Sequence, residues 1–143
     1  MKIGELAQLA RCTVETVRYY EKAGLLAIPE RNAANYRHYG AAHVERLRFI
    51  RNCRALDMTH EEIRALLGLM DTPAAQCGEV NQLLDAHIGH VDARIQELTE
   101  LRAQLMDVRR QCHSEQSVSA CGILQGLAQM DAGEKNGRHT HLG

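Results

Sequence analysis

Three cysteines in the second half of the chain are spaced as ligands of a thiophilic metal ion. Cys77 precedes a long segment of regularly spaced apolar residues, Cys112 follows that segment, and Cys121 comes after a polar loop. Thiolates are soft ligands that suit Zn(II), Cd(II), Hg(II) or Pb(II) and disfavour Mg(II) and Ca(II). The alternative is that all three are unrelated cysteines that pack as small apolar side chains, which is the role we expect for Cys12 and Cys53.

Four histidines form a second, weaker set of metal-ligand candidates. His87 and His90 are one helical turn apart, and His139 and His141 lie near the end of the sequence. An i, i+3 pair brings two side chains together on one helix face, where later imidazoles could complete a metal site. The alternative is favoured on this evidence alone: histidines at polar positions of a helix have the same spacing.

The segment between the first two metal-ligand cysteines predicts one long helix with a partner. Apolar residues recur every seven positions along it: Leu84, Val91, Leu98 and Leu105, with Ile88, Ile95, Leu101 and Val108 beside them. A helix from about Val80 to Cys112 rises 1.5 Å per residue and is roughly 50 Å long, so Cys77 and Cys112 of one chain cannot share an ion. Such a seam is typical of a coiled coil. In an antiparallel dimer, Cys77 of one chain would lie beside Cys112 of the other.

Two short helices joined by a tight turn are predicted at the start of the chain. Residues 3–10 have helical spacing, Thr13 is the predicted N-cap of a second helix that ends near Lys22, and Gly24 fits its C-terminal stop. This is the pattern of a helix-turn-helix. Polar and aromatic side chains of the second helix would face a partner: Thr16, Arg18 and Tyr19. A helical hairpin with a solvated charged face has the same pattern, and this alternative stays open.

The residues that follow have the order of a β-wing. A turn-rich stretch at 31–35 leads into a short alternating strand at 36–39, which carries Tyr36 and Arg37. A wing of this kind would extend the contact with DNA along its phosphate backbone.

Two amphipathic helices are predicted after the wing. The first covers residues 41–56, with Leu56 on its inward face and a row of arginines on its outer face. A capping box formed by Thr59 and Glu62 predicts the start of the second. Both would bridge the DNA-reading unit to the long helix.

Charge is distributed unevenly along the 143 residues. The net charge is −1, but residues 1–57 contain ten Lys and Arg against six Asp and Glu, and residues 77–143 contain six against nine. A mildly basic N-terminal part is compatible with DNA binding. The sequence contains neither an apolar run of about 20 residues, the length needed to cross a bilayer, nor a signal peptide, so we expect a cytoplasmic protein.

Several motifs, in this order, resemble the MerR family of transcriptional regulators. They are Ile3-Gly4-Glu5-Leu6-Ala7, Val17-Arg18-Tyr19-Tyr20-Glu21, Gly24-Leu25-Leu26, Asn35-Tyr36-Arg37-His38-Tyr39 and Leu56-Asp57-Met58. The resemblance covers the whole N-terminal part and continues into the long helix. It implies a winged-helix DNA-binding domain, an antiparallel dimerisation helix and an effector site near the ends of that helix. One departure is the Ala33-Ala34 pair, which replaces a glycine-containing wing tip.

The resemblance also implies which residues would contact DNA and which would bind metal. DNA contacts would come from Thr16, Arg18, Tyr19, Tyr36 and Arg37. The three cysteines Cys77, Cys112 and Cys121 are most similar to those of the cadmium- and lead-responsive branch of the family, whereas sensors of monovalent copper or silver lack the first of them. The effector ion stays open: Cd(II) or Pb(II) is expected, Hg(II) is an alternative, and Zn(II) would need a fourth ligand such as His113.

Together these expectations describe a mainly α-helical, homodimeric regulator that activates a metal-resistance promoter with bacterial RNA polymerase by distorting the DNA. The expected organisation is a winged-helix domain with bridging helices (1–70), a linker (71–79), a dimerisation helix (80–112), and a metal-binding loop, short helix and tail (113–143). A Zn(II) or Hg(II) sensor of the same family and a thiol metal-buffering protein are the alternatives. No pairing of a nucleophile with a base favours an enzyme. A regulator of organic ligands would need a larger C-terminal domain.

Overall fold

A computed structural model describes residues 1–131 and confirms the mainly α-helical class. This range contains six α-helices and a short 3-10 turn at Val118–Ala120. In chain order the helices are α1 (Ile3–Leu9), α2 (Val14–Lys22), α3 (Ala41–Ala55), α4 (His60–Met70), α5 (Cys77–Arg109) and α6 (Gly122–Gln129). Among these helices, none combines the length and the apolarity needed to cross a membrane.

The chain divides into two compact units, Met1–Leu84 and the residues from Asp85 onward. The first unit holds a core of buried apolar side chains from α1, α2, α3 and α4 and from the segments between them. Residues 71–79, predicted as a linker, and the first two turns of α5 also belong to this unit. Val80, Leu83 and Leu84 pack against its core.

Helices α1 and α2 form as their local signals predict. The Thr13 side chain accepts a hydrogen bond from the Thr16 amide (3.1 Å), which satisfies an N–H group at the start of α2. Gly24, just after α2, has φ +77°, a left-handed conformation that glycine adopts without steric cost. Val17 is fully buried and fixes α2 against α1. The predicted helix-turn-helix is therefore present.

Arginines on α3 hold the end of α1. Arg48 donates to the Leu9 carbonyl (3.0 Å), and Arg51 donates to the Ala10 carbonyl (2.5 Å). The last carbonyls of a helix lack partners within it, and positive charge is favourable at that end. These side chains were expected to form only a charged outer surface, but they also tie two helices together.

The predicted strand at 36–39 is wrong for the described residues. The wing contains only an isolated antiparallel bridge between Arg31 and Arg37. The Asn32 side chain accepts hydrogen bonds from the Ala34 and Tyr36 amides (3.0 Å each), so side-chain bonds take the place of a regular ladder.

The wing tip bends through an asparagine. Asn35 has φ +65°, a conformation that asparagine tolerates better than most residues with a side chain. This residue makes the turn at the wing tip next to Ala33-Ala34, where the resemblance implied a glycine.

Leu56 was expected to face inward, and this expectation is wrong because its side chain is 63% exposed. Leu56 caps α3, and Asp57 immediately after it has φ +60°. The reversal of the backbone there turns Leu56 outward and buries Met58 in its place. The predicted capping box of α4 is confirmed, since Thr59 and Glu62 exchange hydrogen bonds of 2.9 and 3.1 Å.

The long helix α5 has 33 residues and begins at Cys77, three residues before the predicted start. Glu79 lies in its first turn, and a negative charge there complements the helix N-terminus and favours the earlier start. The exposed apolar side chains that follow along α5 are between 40% and 60% exposed: Ile88, Ile95, Leu98, Leu101 and Leu105. A stripe of this kind on a polar helix is what a coiled-coil partner buries.

α5 ends at Arg109, three residues before the predicted end at Cys112. The Gln111 amide donates to the Val108 carbonyl (3.1 Å), and the Cys112 amide donates to the Arg109 carbonyl (3.3 Å). These are i to i−3 hydrogen bonds, which tighten the last turn and take the chain out of the α-helix. Beyond Arg109 the chain therefore continues in hydrogen-bonded turns up to Cys112.

Candidate DNA-binding surface and thiol cluster

Side chains from α2 and from the wing line one basic cleft of about 220 Å³. Three of the five residues predicted to contact DNA contribute to it, namely Arg18, Tyr36 and Arg37. Lys2 and Arg31 also line the cleft, so four positively charged side chains surround it. Cationic side chains around one cleft provide the electrostatic attraction that phosphate groups need.

Thr16 and Tyr19 lie on the same helix but do not line the cleft. Thr16 is half-buried, and its hydroxyl is hydrogen-bonded to the Thr13 hydroxyl (2.9 Å). Tyr19 is 56% exposed. A half-exposed aromatic ring with a hydroxyl can donate to a phosphate oxygen while its ring contacts sugar or base atoms.

Two basic residues of the cleft were missed from the sequence. The Lys2 ammonium lies 4.3 Å from the centre of the Tyr36 ring, in cation–π geometry. Arg31 is paired with Arg37 by the bridge and donates to the Asn35 carbonyl (3.1 Å). The bridge could have been expected from the turn between the two arginines, but only the fold brings Lys2 to the wing.

A buried hydrogen bond braces the wing against α2. The Tyr39 hydroxyl donates to Oε2 of Glu21 at 2.8 Å, and both side chains are more than nine-tenths buried. Burial, together with this hydrogen bond to a carboxylate, raises the pKa of Tyr39 from 10.0 to about 12. Tyr39 therefore stays protonated near neutral pH and keeps donating. The brace fixes Tyr36 and Arg37, just before it in sequence, relative to α2.

The first predicted metal ligand, Cys77, is exposed and is the first residue of α5. It lines the edge of an apolar cleft of about 370 Å³ in the first unit, together with side chains of α3 and α4. A ligand at this position is attached to a helix that is packed on the core of the DNA-binding half.

The other two predicted ligands, Cys112 and Cys121, flank the loop between α5 and α6 and are half-buried. The Cys112 thiol donates to the Ser114 carbonyl (3.4 Å), and Cys121 is the N-cap of α6. His113, between the first cysteine and the loop, is exposed.

Two glycines allow α6 to approach the end of α5 closely. A Cβ added to Gly122 would meet the Gln111 backbone carbonyl, and a Cβ added to Gly126 would meet the Gln111 side chain. Because Gln111 precedes Cys112 and Gly122 follows Cys121, this approach brings the two thiol-bearing segments together. Cys112 and Cys121 therefore stand on neighbouring segments of the chain, and thiolates are ligands that suit a soft ion.

Cys12 and Cys53 behave as packing residues. Cys53 is buried and Cys12 is half-buried, and burial raises the pKa of both thiols. For Cys12 the nearby Arg51 guanidinium partly opposes that effect. A raised pKa keeps a thiol protonated and therefore a poor metal ligand.

The proposed histidine site is described only in part. His87 is 5% exposed, His90 is exposed, and their ring centres are 6.2 Å apart in an edge-on arrangement. His139 and His141 lie outside the described residues. A second metal position that uses these histidines stays a prediction.

Comparison with known proteins gives the context of these sites. The family model "MerR HTH family regulatory protein" matches residues 1–69, and the model "MerR, DNA binding" matches residues 44–108. A ZntR homologue from Haemophilus influenzae, an HTH-type transcriptional regulator, is 49% identical over 109 residues, which are 76% of this chain and 81% of the relative. The chain belongs to the MerR family. MerR proteins are transcriptional regulators rather than enzymes, and they bind promoter DNA and act as dimers.

Solved MerR-family structures are similar along nearly the whole chain. The transcription regulator PbrR691 from Ralstonia metallidurans CH34, solved in complex with lead(II), is 52% identical. It superposes with a TM-score of 0.81 and covers 89% of this chain and 98% of its own. MerR from Bacillus megaterium MB1, solved with a mercury(II) ion, is 32% identical with a TM-score of 0.68, covering 90% of this chain and all of its own.

Proposed function

We propose that the chain is a homodimeric transcriptional activator that senses a thiophilic divalent ion through Cys77 of one protomer and Cys112 and Cys121 of the other. One observation carries the proposal: Cys77 stands on the helix that is packed on the DNA-binding core, whereas the other two thiols stand beyond the far end of that helix. With about 50 Å of α-helix between them, the thiols of one chain cannot meet. Antiparallel pairing of two α5 helices would bring them together.

The exposed apolar stripe of α5 supports the dimer. Five large apolar side chains, each 40% to 60% exposed, would lose contact with water against a second α5. Burial of apolar surface stabilises by roughly 25 cal/mol per Å², so this seam is the main source of association energy. The thiol site would then exist only in the assembled dimer.

DNA binding in this proposal uses the basic cleft together with the outer face of α2. Arg18, Tyr36 and Arg37 would contact phosphates from the cleft, and Thr16 and Tyr19 would contact the duplex from the helix. The partner is promoter DNA bound together with bacterial RNA polymerase, which implies the cytoplasm as the location.

Metal binding would act on the DNA through the first two turns of α5. An ion that joins Cys77 to the thiols of the partner fixes the start of α5, whose next residues Val80, Leu83 and Leu84 are packed on the DNA-binding core. Distorting a promoter costs several kcal/mol. The ion must therefore bind the distorting arrangement more tightly than the relaxed one. We propose that this difference realigns the two promoter elements that polymerase reads.

The proposed effector is Cd(II) or Pb(II). Three thiolates without a fixed fourth ligand suit Pb(II), and Cd(II) can add a further oxygen or nitrogen ligand. The 52%-identical PbrR691, solved with lead(II), supports this choice. Zn(II) prefers four tetrahedral ligands, and His113 is one residue of the loop that could supply the fourth.

In vitro transcription tests the proposal. The wild-type protein is added to polymerase and its promoter, and transcript is measured against Cd, Pb, Zn, Hg and Cu(I) concentration. Cys77→Ser, Cys112→Ser and Cys121→Ser should each abolish induction while promoter affinity in the absence of metal is retained. The matched control is Cys12→Ser, a half-buried cysteine of the DNA-binding half, which should respond as the wild type does. Induction that survives any of the first three changes would remove that cysteine from the ligand set.

Mixed dimers test the sharing of the site. A Cys77→Ser chain paired with a Cys112→Ser chain keeps one complete set of three thiols, so it should bind one ion per dimer through three thiolates, which neither parent can do. If the mixed dimer forms and binds no ion, sharing between protomers is refuted. A metal-buffering protein would bind the ion with no sequence-selective binding of DNA.

A further inference from the structure

Three aromatic rings meet where α4 begins. His60, the first residue of α4, lies with its ring centre 5.4 Å from the Tyr19 ring and 6.1 Å from the Tyr20 ring. The two tyrosine rings are 5.4 Å apart, and all three pairs have edge-to-face angles of 61° to 67°. Edge-to-face packing at these distances is attractive beyond the area that it buries.

The three rings differ in exposure. Tyr20 is 7% exposed and belongs to the core, whereas Tyr19 is 56% exposed on the face of α2 assigned to DNA. The half-buried His60 ring therefore joins a surface side chain to the core. An isolated surface tyrosine would have to give up rotamer freedom on binding, which weakens association. A ring packed against it reduces that loss.

Helix α4 contacts α2 at a second point. Arg64, one turn after His60, donates to the carbonyl of Ala23 at the C-terminal end of α2 (2.7 Å). The position of α2, and with it Tyr19, is therefore set partly by α4. Neither His60 nor Arg64 was singled out from the sequence.

Burial and two neighbouring guanidinium groups favour the neutral form of the His60 ring. Burial, and then the guanidinium groups of Arg54 on α3 and Arg64 on α4, lower the pKa of His60. Tyr19 and Tyr20 of α2 are the titratable groups whose rings contact it. A neutral imidazole packs its edge against a phenol without the cost of desolvating a charge.

We propose that His60 is a positioning residue for promoter binding: its ring holds Tyr19 in the orientation in which Tyr19 contacts DNA. The proposal rests on the proposed function, because it requires Tyr19 to contact the duplex. It goes beyond that function by assigning to α4 a direct part in presenting a DNA-reading side chain. Aromatic pairs contribute about 0.5 to 1.5 kcal/mol, which corresponds to a change of roughly two- to tenfold in dissociation constant.

The test compares variants of the full-length chain by fluorescence anisotropy. The probe is a duplex selected by the wild-type protein from a random-sequence pool. His60→Leu, which keeps apolar volume and removes the ring, should weaken binding roughly two- to tenfold. His60→Phe, which keeps a ring, should restore most of the affinity. The matched control is Ala65→Leu, which places a leucine at an exposed position of the same helix, α4, and should bind the duplex as the wild type does.

A double-mutant cycle with Tyr19→Ala decides the mechanism. If His60 acts through Tyr19, His60→Leu should have almost no further effect on affinity in the Tyr19→Ala chain. An equal loss in both backgrounds, or wild-type affinity for His60→Leu, would overturn the proposal. Thermal unfolding of each variant identifies any loss that comes from misfolding, and the His60→Phe chain then gives the decisive comparison.

Failure here and failure of the proposed function are distinguishable. If Tyr19→Ala binds the duplex as the wild type does, Tyr19 does not contact DNA, and the proposed positioning role of His60 is refuted as well. The in vitro transcription assay of the three cysteine variants still tests metal sensing, because its result does not depend on His60 or Tyr19. If Tyr19→Ala weakens binding but His60→Leu does not, only the positioning role is refuted.

Discussion

Replacing Tyr39 with Phe removes one oxygen atom from the brace between the wing and α2. The Tyr39 hydroxyl donates to the Glu21 carboxylate at 2.8 Å, and the two side chains are 1% and 8% exposed. The Phe side chain fills almost the same space, so packing is retained. The carboxylate, however, stays buried without this donor, and a buried charge that loses a hydrogen bond is costly.

The energy of a hydrogen bond to a charged group gives the size of the effect, since such a bond contributes about 1.5 to 3 kcal/mol to stability. Burial and then this hydrogen bond raise the pKa of Tyr39 from 10.0 to about 12, and this shift gives the direction of the pH dependence. We therefore expect Tyr39→Phe to lower the free energy of unfolding by about 2 kcal/mol at pH 7. Promoter affinity should also fall, because Tyr36 and Arg37 would be held less firmly.

The pH dependence of this difference in unfolding free energy tests whether the hydrogen bond of the Tyr39 hydroxyl causes it. The unfolded tyrosine loses its proton near pH 10, whereas the folded one holds it up to about pH 12. The stability that protonated Tyr39 contributes to the folded state is therefore complete below pH 10, and it is lost as the pH rises through 12. Urea unfolding at pH 7, 9, 10 and 11 should show a constant gap between wild type and Tyr39→Phe up to about pH 9, and a shrinking gap above pH 10. Tyr36→Phe, at an exposed tyrosine, is the control. A gap under about 0.5 kcal/mol at pH 7 would refute the brace, because a hydrogen bond to a buried carboxylate contributes more than that.

Three further changes have defined outcomes. Gly24→Ala should lower the free energy of unfolding by about 1 kcal/mol, because φ is +77° there and a Cβ is unfavourable in that conformation; urea unfolding measures it. Thr59→Ala should cost about 1 kcal/mol in the same experiment by removing the capping box of α4, and an unchanged midpoint would contradict that role. Gly122→Ala should weaken metal affinity in a competition titration with a chromophoric chelator, since its Cβ would meet the Gln111 carbonyl. Unchanged affinity would show that close approach of α6 is not required. Gly4→Ala, where a Cβ meets nothing within 4 Å, is the control for that titration.

Local signals in the sequence predicted most of the helices. The caps at Thr13 and Thr59 act between residues three apart, and the turn at Gly24 depends on one residue. Interactions this short in range are present in the sequence itself, whatever the rest of the fold does. The apolar repeat of α5 is equally local, so its existence was predicted and only its ends were displaced by three residues.

Two kinds of feature were missed or wrong: local backbone turns that single residues determine, and contacts between residues far apart in sequence. The wing uses the side chain of Asn32 in place of a regular strand ladder, and Leu56 turns outward because of the backbone reversal at Asp57. Neither the periodicity nor the composition of the sequence indicates these local conformations. The contact of His60 with Tyr19 spans 41 residues, and it arises only when α4 packs on α2.

For the proposed thiol site, the spacing of the cysteines predicts the kind of ligand, whereas the fold relates the position of Cys77 to the DNA-binding domain. Spacing separates Cys77 from Cys112 by a helix too long for one chain to close, and this alone argues for a site built from two chains. The fold adds that α5 is packed on the DNA-binding core within two turns of Cys77. In the proposed site, an ion bound to Cys77 would be attached to a helix packed on the core rather than to a loop, so the free energy of metal binding could act on the arrangement of the DNA-binding half. The same ion bound by Cys112 and Cys121 alone would have no such attachment, which is why loss of Cys77 should abolish induction even if two thiols still hold metal.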